Sequence, residues 1–242
     1  MVLLYASSIV LKKVDHKTGV ITSSLAPVKK FMGKKFIQDI LFMFKVMRRP
    51  VDSFEDLKRH QKGSLKAAIL LYALIFISFI FFNTSKGFIY QFIAVEDLDL
   101  TALVLGFFAV TLLFVISNYL DTSINDGIGT IKQIFMMFIY ALSPLFIALI
   151  LVTVLSHVLT YNEVFFLDFI MNIGMIWSFV LVFLGISEIH EYTGKETFRS
   201  IIMSLLFALI MVVVIIIIIT MWQQLYLFIE AILKEAIRNA FS

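Results

Sequence analysis

Hydrophobic residues in this chain gather into five long blocks divided by short polar segments. The blocks run from about Leu65 to Phe82, Thr101 to Leu120, Ile131 to Leu159, Phe169 to Ser187 and Ile201 to Met221. Crossing roughly 30 Å of hydrocarbon at about 1.5 Å per residue takes about 20 apolar residues, so each block predicts a membrane-spanning helix. The last block contains VVVIIIII, a β-branched run that in water favours a strand. In lipid an open strand leaves its backbone groups unpaired, and no alternating pattern supports a closed barrel, so a helix is expected there too. Pro144, preceded by Ser143, falls inside the third block. It removes a backbone donor and predicts a kink, read as a static bend that shapes the bundle.

Three further segments carry a pattern. Lys34 to Arg49 reads KKFIQDILFMFKVMRR. At about 100° per residue, Phe36, Ile40, Met43, Phe44 and Met47 share one face. Lys34, Lys35, Gln38, Lys45, Arg48 and Arg49 cluster on the other side. This predicts an interfacial helix with its apolar side in the headgroup boundary, ended by Pro50. Trp222 to Phe241 is a second amphipathic helix with a stripe of Leu225, Ile229, Ile232, Leu233, Ala236 and Ala240. It either continues the fifth span or turns along the outer surface, and its mixed charge suits a protein partner as well as lipid. Near the N-terminus, SSIVLKKV and GVITSSL flank DHKTG and predict a short β-hairpin. The expected fold is an all-α membrane protein: a five-span helical bundle with an N-terminal interfacial amphipathic helix, a short N-terminal β-hairpin and a C-terminal amphipathic helix. Its expected divisions are 1–33, 34–64, 65–221 and 222–242.

Composition narrows the class. The 242 residues are 61% hydrophobic and 15% charged, which excludes both an ordinary soluble domain and a disordered chain. There is no cysteine, so disulfides and thiolate sites are excluded. The opening MVLLYASSIV lacks a basic leader and Lys12 and Lys13 follow closely, so no secretory signal is expected. Fourteen of the twenty Lys and Arg precede Ala67. Beside a span, such a basic face meets lipid headgroups rather than nucleic acid. Placing the N-terminus in the cytoplasm puts seventeen cations inside against three outside. The expected location is therefore the cell membrane, multi-pass, with the C-terminus external.

The span interiors look bare of ionisable groups, whereas an ion-coupled transporter needs one buried. Asp121, Asp126, Glu188, His190 and Glu191 gather towards the cytoplasmic side without metal-ligand spacing, and are expected as solvated loop charge. His157, Thr153 and Asn172 are expected to form an interhelical hydrogen-bonded group near the outer end. His16 and His60 have no ligand spacing either. The turn NDGIGT precedes a helix that Asp126 or Thr130 can cap. No Walker loop, GxSxG or HExxH occurs. Catalytic, cofactor-binding and metal-binding residues are expected to be none.

Four stretches together resemble bacterial membrane proteins with the Yip domain, the Ypt-interacting protein family. They are RRPVDSFEDLKRHQKGSLKAA, SNYLDTSINDGIGTIKQIFMMFIYALSP, GMIWSFVLVFLGISEIHEYTGKETF and QQLYLFIEAILKE, from about Arg48 to Glu235. The resemblance implies five spans and a cytoplasmic N-terminus. Eukaryotic relatives act in vesicle traffic and bind small GTPases; the Asp-Leu-Tyr-Gly-Pro motif of those relatives is absent here, and that role is not carried over. Bacterial members resemble companions of sugar importers. The resemblance therefore implies a non-enzymatic scaffold or accessory subunit of a larger membrane complex, beside a sugar-importing ABC transporter. The alternative is a channel, transporter or lipid-handling protein. Expected partners are membrane lipid and a membrane protein or a second copy of the chain. By match, Gly63, Asp126, Gly127, Gly129, Thr130, Tyr140, Pro144, His190 and Tyr192 carry structural or partner-contact roles.

Overall fold

A computed structural model describes residues 35–59, 63–87, 90, 91, 95–125 and 127–240. The expected hairpin, Asp126, His16 and His60 lie outside the described residues. The described residues form eight α-helices and no strand. They are α1 (Lys35–Arg48), α2 (Pro50–Arg59), α3 (Leu65–Thr84), α4 (Leu100–Ile124), α5 (Ile131–Ala141), α6 (Ser143–Leu155), α7 (Val164–His190) and α8 (Gly194–Ala240). Five units are long and apolar enough to cross a membrane: α3, α4, the α5–α6 pair, α7 and α8.

The α5–α6 unit is the axis of the bundle: 61% of its membrane window is buried, against 6% for α8. It breaks at Leu142, where Pro144 cannot donate to the carbonyl one turn back. Ser143 Oγ donates to that Tyr140 carbonyl instead, at 2.6 Å. Leu145 N–H donates across to Ser178 Oγ of α7 at 3.1 Å. The kink is thus stitched to a neighbour rather than left with open backbone groups. Phe54 of α2, Leu71 and Ile75 of α3, Met137 and Tyr140 of α5, and Ile189 of α7 are fully enclosed in the core.

Helix α1 packs on the bundle through a face that the hydrophobic stripe marks only in part, at Met43. Asp39, Phe42, Met43 and Val46 are buried, while Phe44 of the expected stripe is 45% exposed. These four positions follow the helical spacing i, i+3, i+4, i+7, but a carboxylate among them hides the stripe from a hydropathy reading. The anchor is Tyr140, whose hydroxyl donates to the Asp39 carbonyl at 2.8 Å and whose ring meets Phe42 edge-on at 5.3 Å. Lys45 pairs with Asp56 and so ties α1 to α2.

Helix α8 is one unbroken helix of 47 residues, about 70 Å long at 1.5 Å per residue. The fifth block and the C-terminal amphipathic segment are therefore continuous. Of the two courses open to that segment, the helix continues. Only its first third packs, mainly against α4; Thr197, Ser200 and Ser204 are buried there, and from Val212 to Ile229 every residue is exposed.

Candidate functional site: a buried polar junction

Where α4 and α7 end and α8 begins, the chain encloses a set of polar side chains. Asn118 and Asp121 are 0% exposed and His190 is 3% exposed. His190 organises the group. Gly129 N–H donates to Nδ1 at 3.2 Å. That fixes Nδ1 as an acceptor and leaves the proton on Nε2, which donates to Asn118 Oδ1 at 3.2 Å. The imidazole is therefore neutral, since a second ring proton would face the Gly129 amide. Asn118 Nδ2 passes the chain on to Ser204 Oγ at 3.3 Å. Asp121 accepts from Ser200 Oγ on one carboxylate oxygen and from Asn125 Nδ2, at 2.7 Å, on the other. Arg199 donates to Asn125 Oδ1 at 3.3 Å.

Local structure places each partner. Helix α7 closes at Glu191, which adopts a left-handed conformation with φ 58°. Tyr192 N–H then donates to the Ser187 carbonyl at 3.0 Å, and Ser187 Oγ to the Tyr192 carbonyl at 2.9 Å. This turn lays the Tyr192 ring over His190, centroids 5.3 Å apart, and its hydroxyl donates to the Asn125 carbonyl at 3.2 Å. The 127–130 strip fits beneath. A Cβ at Gly129 would stand 2.4 Å from the His190 ring, and one at Gly127 would strike Tyr192 and His190. Lys58 of α2 donates to Glu191 at 2.9 Å, which holds that carboxyl below its usual range.

Several expectations change here. Asp121 and His190 are not solvated loop charge: both are buried, and Asp121 lies on α4 one turn before its end. The span ends thus hold a buried carboxylate that hydropathy hid. Glu188 is half-buried and Glu191 exposed. Among the described residues no three His, Asp or Glu converge on a metal-sized space. Of the residues carried over by resemblance, Gly127, Gly129, His190 and Tyr192 meet at this junction. Thr130 caps α5 through a reciprocal bond with Gln133. Gly63, with φ 85°, lies against the Tyr140 ring some distance away, and Pro144 sits at the kink. The outer group separates: His157 Nδ1 bonds the Thr153 carbonyl in the last turn of α6 at 2.8 Å, while Asn172 is exposed.

Sequence reasoning missed Asn118, Ser200 and Ser204. A signal existed. Asn118, Asp121 and Asn125 follow i, i+3, i+7 on α4, and Thr197, Ser200 and Ser204 repeat that spacing on α8. Two polar stripes on two apolar helices satisfy one another.

Four apolar helical units around a kinked fifth define a multi-pass α-helical membrane protein. Residues 44–218 match the Yip1 domain, and the chain belongs to the Yip1 domain family. The match stops at Ile218, so the QQLYLFIEAILKE stretch of the earlier resemblance falls outside it. No curated protein and no solved structure matches the chain.

Proposed function

We propose that the chain is a non-enzymatic membrane scaffold or accessory subunit that holds a partner membrane protein, with a sugar-importing ABC transporter as the candidate assembly. In this reading the N-terminus and the basic ends of α3 and α5 face the cytoplasm and α8 emerges outside. Helix α1 rests at the membrane surface with Phe44 towards lipid. One observation carries the proposal. Beyond Trp222, α8 continues for about 27 Å with Leu225, Ile229, Ile232 and Leu233 each about half exposed. A single apolar-striped helix standing clear of its bundle is stabilised by a facing protein surface.

The channel or transporter reading draws on buried Asp121. Its two carboxylate oxygens and both His190 nitrogens already have partners within the junction, which favours a structural lock. Co-purification from native membranes separates the two readings. Truncation before Trp222 should release a partner that the full chain retains, while His190→Ala should retain it. A partner held equally by the truncated chain refutes the scaffold reading. Lost transport in His190→Ala with assembly intact establishes the alternative.

A further inference from the structure

Helices α3 and α4 meet through aromatic rings, with Tyr72 stacked on Phe107 at 5.0 Å and Phe76 tilted against Phe107 at 5.2 Å. Beside this stack lies an open groove of about 840 Å³, within the roughly 300–1,000 Å³ of small-molecule sites. Leu105, Phe108, Leu112, Val115 and Phe135 line it. Its polar atoms are spent: the Tyr72 hydroxyl donates to Thr111 Oγ1 at 2.9 Å, and Thr111 Oγ1 donates to the Phe107 carbonyl at 3.2 Å. From Leu105 to Val115 the groove follows α4 for about 15 Å, half of the roughly 30 Å hydrocarbon core. Along that length it accepts alkyl chain, and Lys132 at one end is the charged group in its lining.

At the end where α3 and α5 begin, the groove adjoins a second pocket of about 370 Å³, and Leu65 and Lys132 line both. This pocket is polar, with Asp39, Ser64, Thr130 and Gln133 in its wall. The hydroxyls are already used as caps: Ser64 accepts from the Ala67 amide, and Thr130 and Gln133 bond each other. Two charges remain. Among the described residues neither the Lys132 ammonium nor the Asp39 carboxylate has an ion-pair partner, although Asp39 is 9% exposed. The residue is largely buried, and its carboxylate is left at the pocket wall without a cation. By their linings, the two pockets run from apolar groove to a shared cation to an anion.

We propose that these two pockets together bind one ethanolamine phospholipid from the leaflet beside α1 and α2. One acyl chain lies in the groove, the phosphate sits at Lys132, and the primary ammonium donates to Asp39. The match is specific in chemistry. A primary ammonium brings three donors to the carboxylate. A choline headgroup brings a cation without donors, and a glycerol headgroup brings no cation. The inference does not depend on the scaffold reading.

The test is native mass spectrometry of the full chain, released from nanodiscs containing equal phosphatidylethanolamine, phosphatidylcholine and phosphatidylglycerol of identical acyl composition. One phosphatidylethanolamine per chain should remain, in several-fold excess over the other two. Asp39→Asn should bring phosphatidylethanolamine and phosphatidylcholine to equal occupancy. Lys132→Gln should lower retention of every phospholipid by roughly fivefold, the effect of one cation beside a lipid headgroup. Leu112→Trp, which fills the groove at an exposed position, should block retention of all three. Equal retention of the three lipids by the unaltered chain overturns the proposal, as does a preference that survives Asp39→Asn.

Discussion

At the scale of single residues, the polar junction depends on what is missing as much as on what is present. Gly129 lets its own amide reach His190 because no Cβ stands between them. Gly129→Ala should push the ring off both the amide and Asn118, destabilising the protein by about 1–3 kcal/mol as overpacking does. Gly106 is the matched control. It lies on α4 with nothing within 4 Å of where a Cβ would stand. Gly106→Ala should be neutral or stabilise by up to about 1 kcal/mol, since alanine restricts the unfolded chain and favours helix. Thermal unfolding of both variants in one detergent measures the contrast. Similar melting temperatures for the two would mean that the His190 packing contributes little. Asp121→Asn tests the same group from the other side. The amide that replaces one oxygen would face a donor, Ser200 Oγ or Asn125 Nδ2, with a penalty of about 1–3 kcal/mol.

At the scale of elements, short connections between helices decide how the ends are held. The Lys58–Glu191 pair joins α2 to the turn after α7, and that turn sets Tyr192 over His190. Lys58 lowers the Glu191 pKa, first by its hydrogen bond and then by its charge. A folded pKa below the roughly 4.3 of free glutamate gives a contribution that is present above that value and lost as pH falls through the folded one. The melting temperature should therefore drop further between neutral and acid pH in the native chain than in Lys58→Gln. Parallel curves for the two would show that the pair does not couple α2 to the turn. The α5–α6 kink is held in the same way by Ser143 and Ser178. Its freed backbone groups are accounted for, and it falls where the sequence reading of Pro144 placed a kink.

At the scale of the whole molecule, the bundle and α8 divide their tasks. The core lies where α1, α2, α3, α5 and α7 converge, towards the end that carries most of the cations. Helix α8 packs on that body near its start, and every residue from Val212 to Ile229 is exposed. Its continuity from Gly194 to Ala240 places the two ends of α8 on opposite sides of any bilayer its apolar run crosses. A reporter fused at Gly194 should read cytoplasmic and one at Ser242 external, following the cation asymmetry. An external signal at Gly194 would refute the proposed orientation.

The five spans and the kink were legible in the sequence because hydropathy and proline act locally. A run of about twenty apolar residues must become a helix in lipid whatever surrounds it. The packed face of α1 was legible only at Met43, because Asp39 belongs to it through a backbone carbonyl that Tyr140 reaches from 101 positions away. Nor was the burial of Asp121 and His190. Each looks like loop charge until Asn118, Ser200 and Ser204 are brought to it from other helices. A polar group's fate rests on partners that only the tertiary structure supplies. An apolar block's fate is decided by the solvent it must avoid, and the sequence alone carries that.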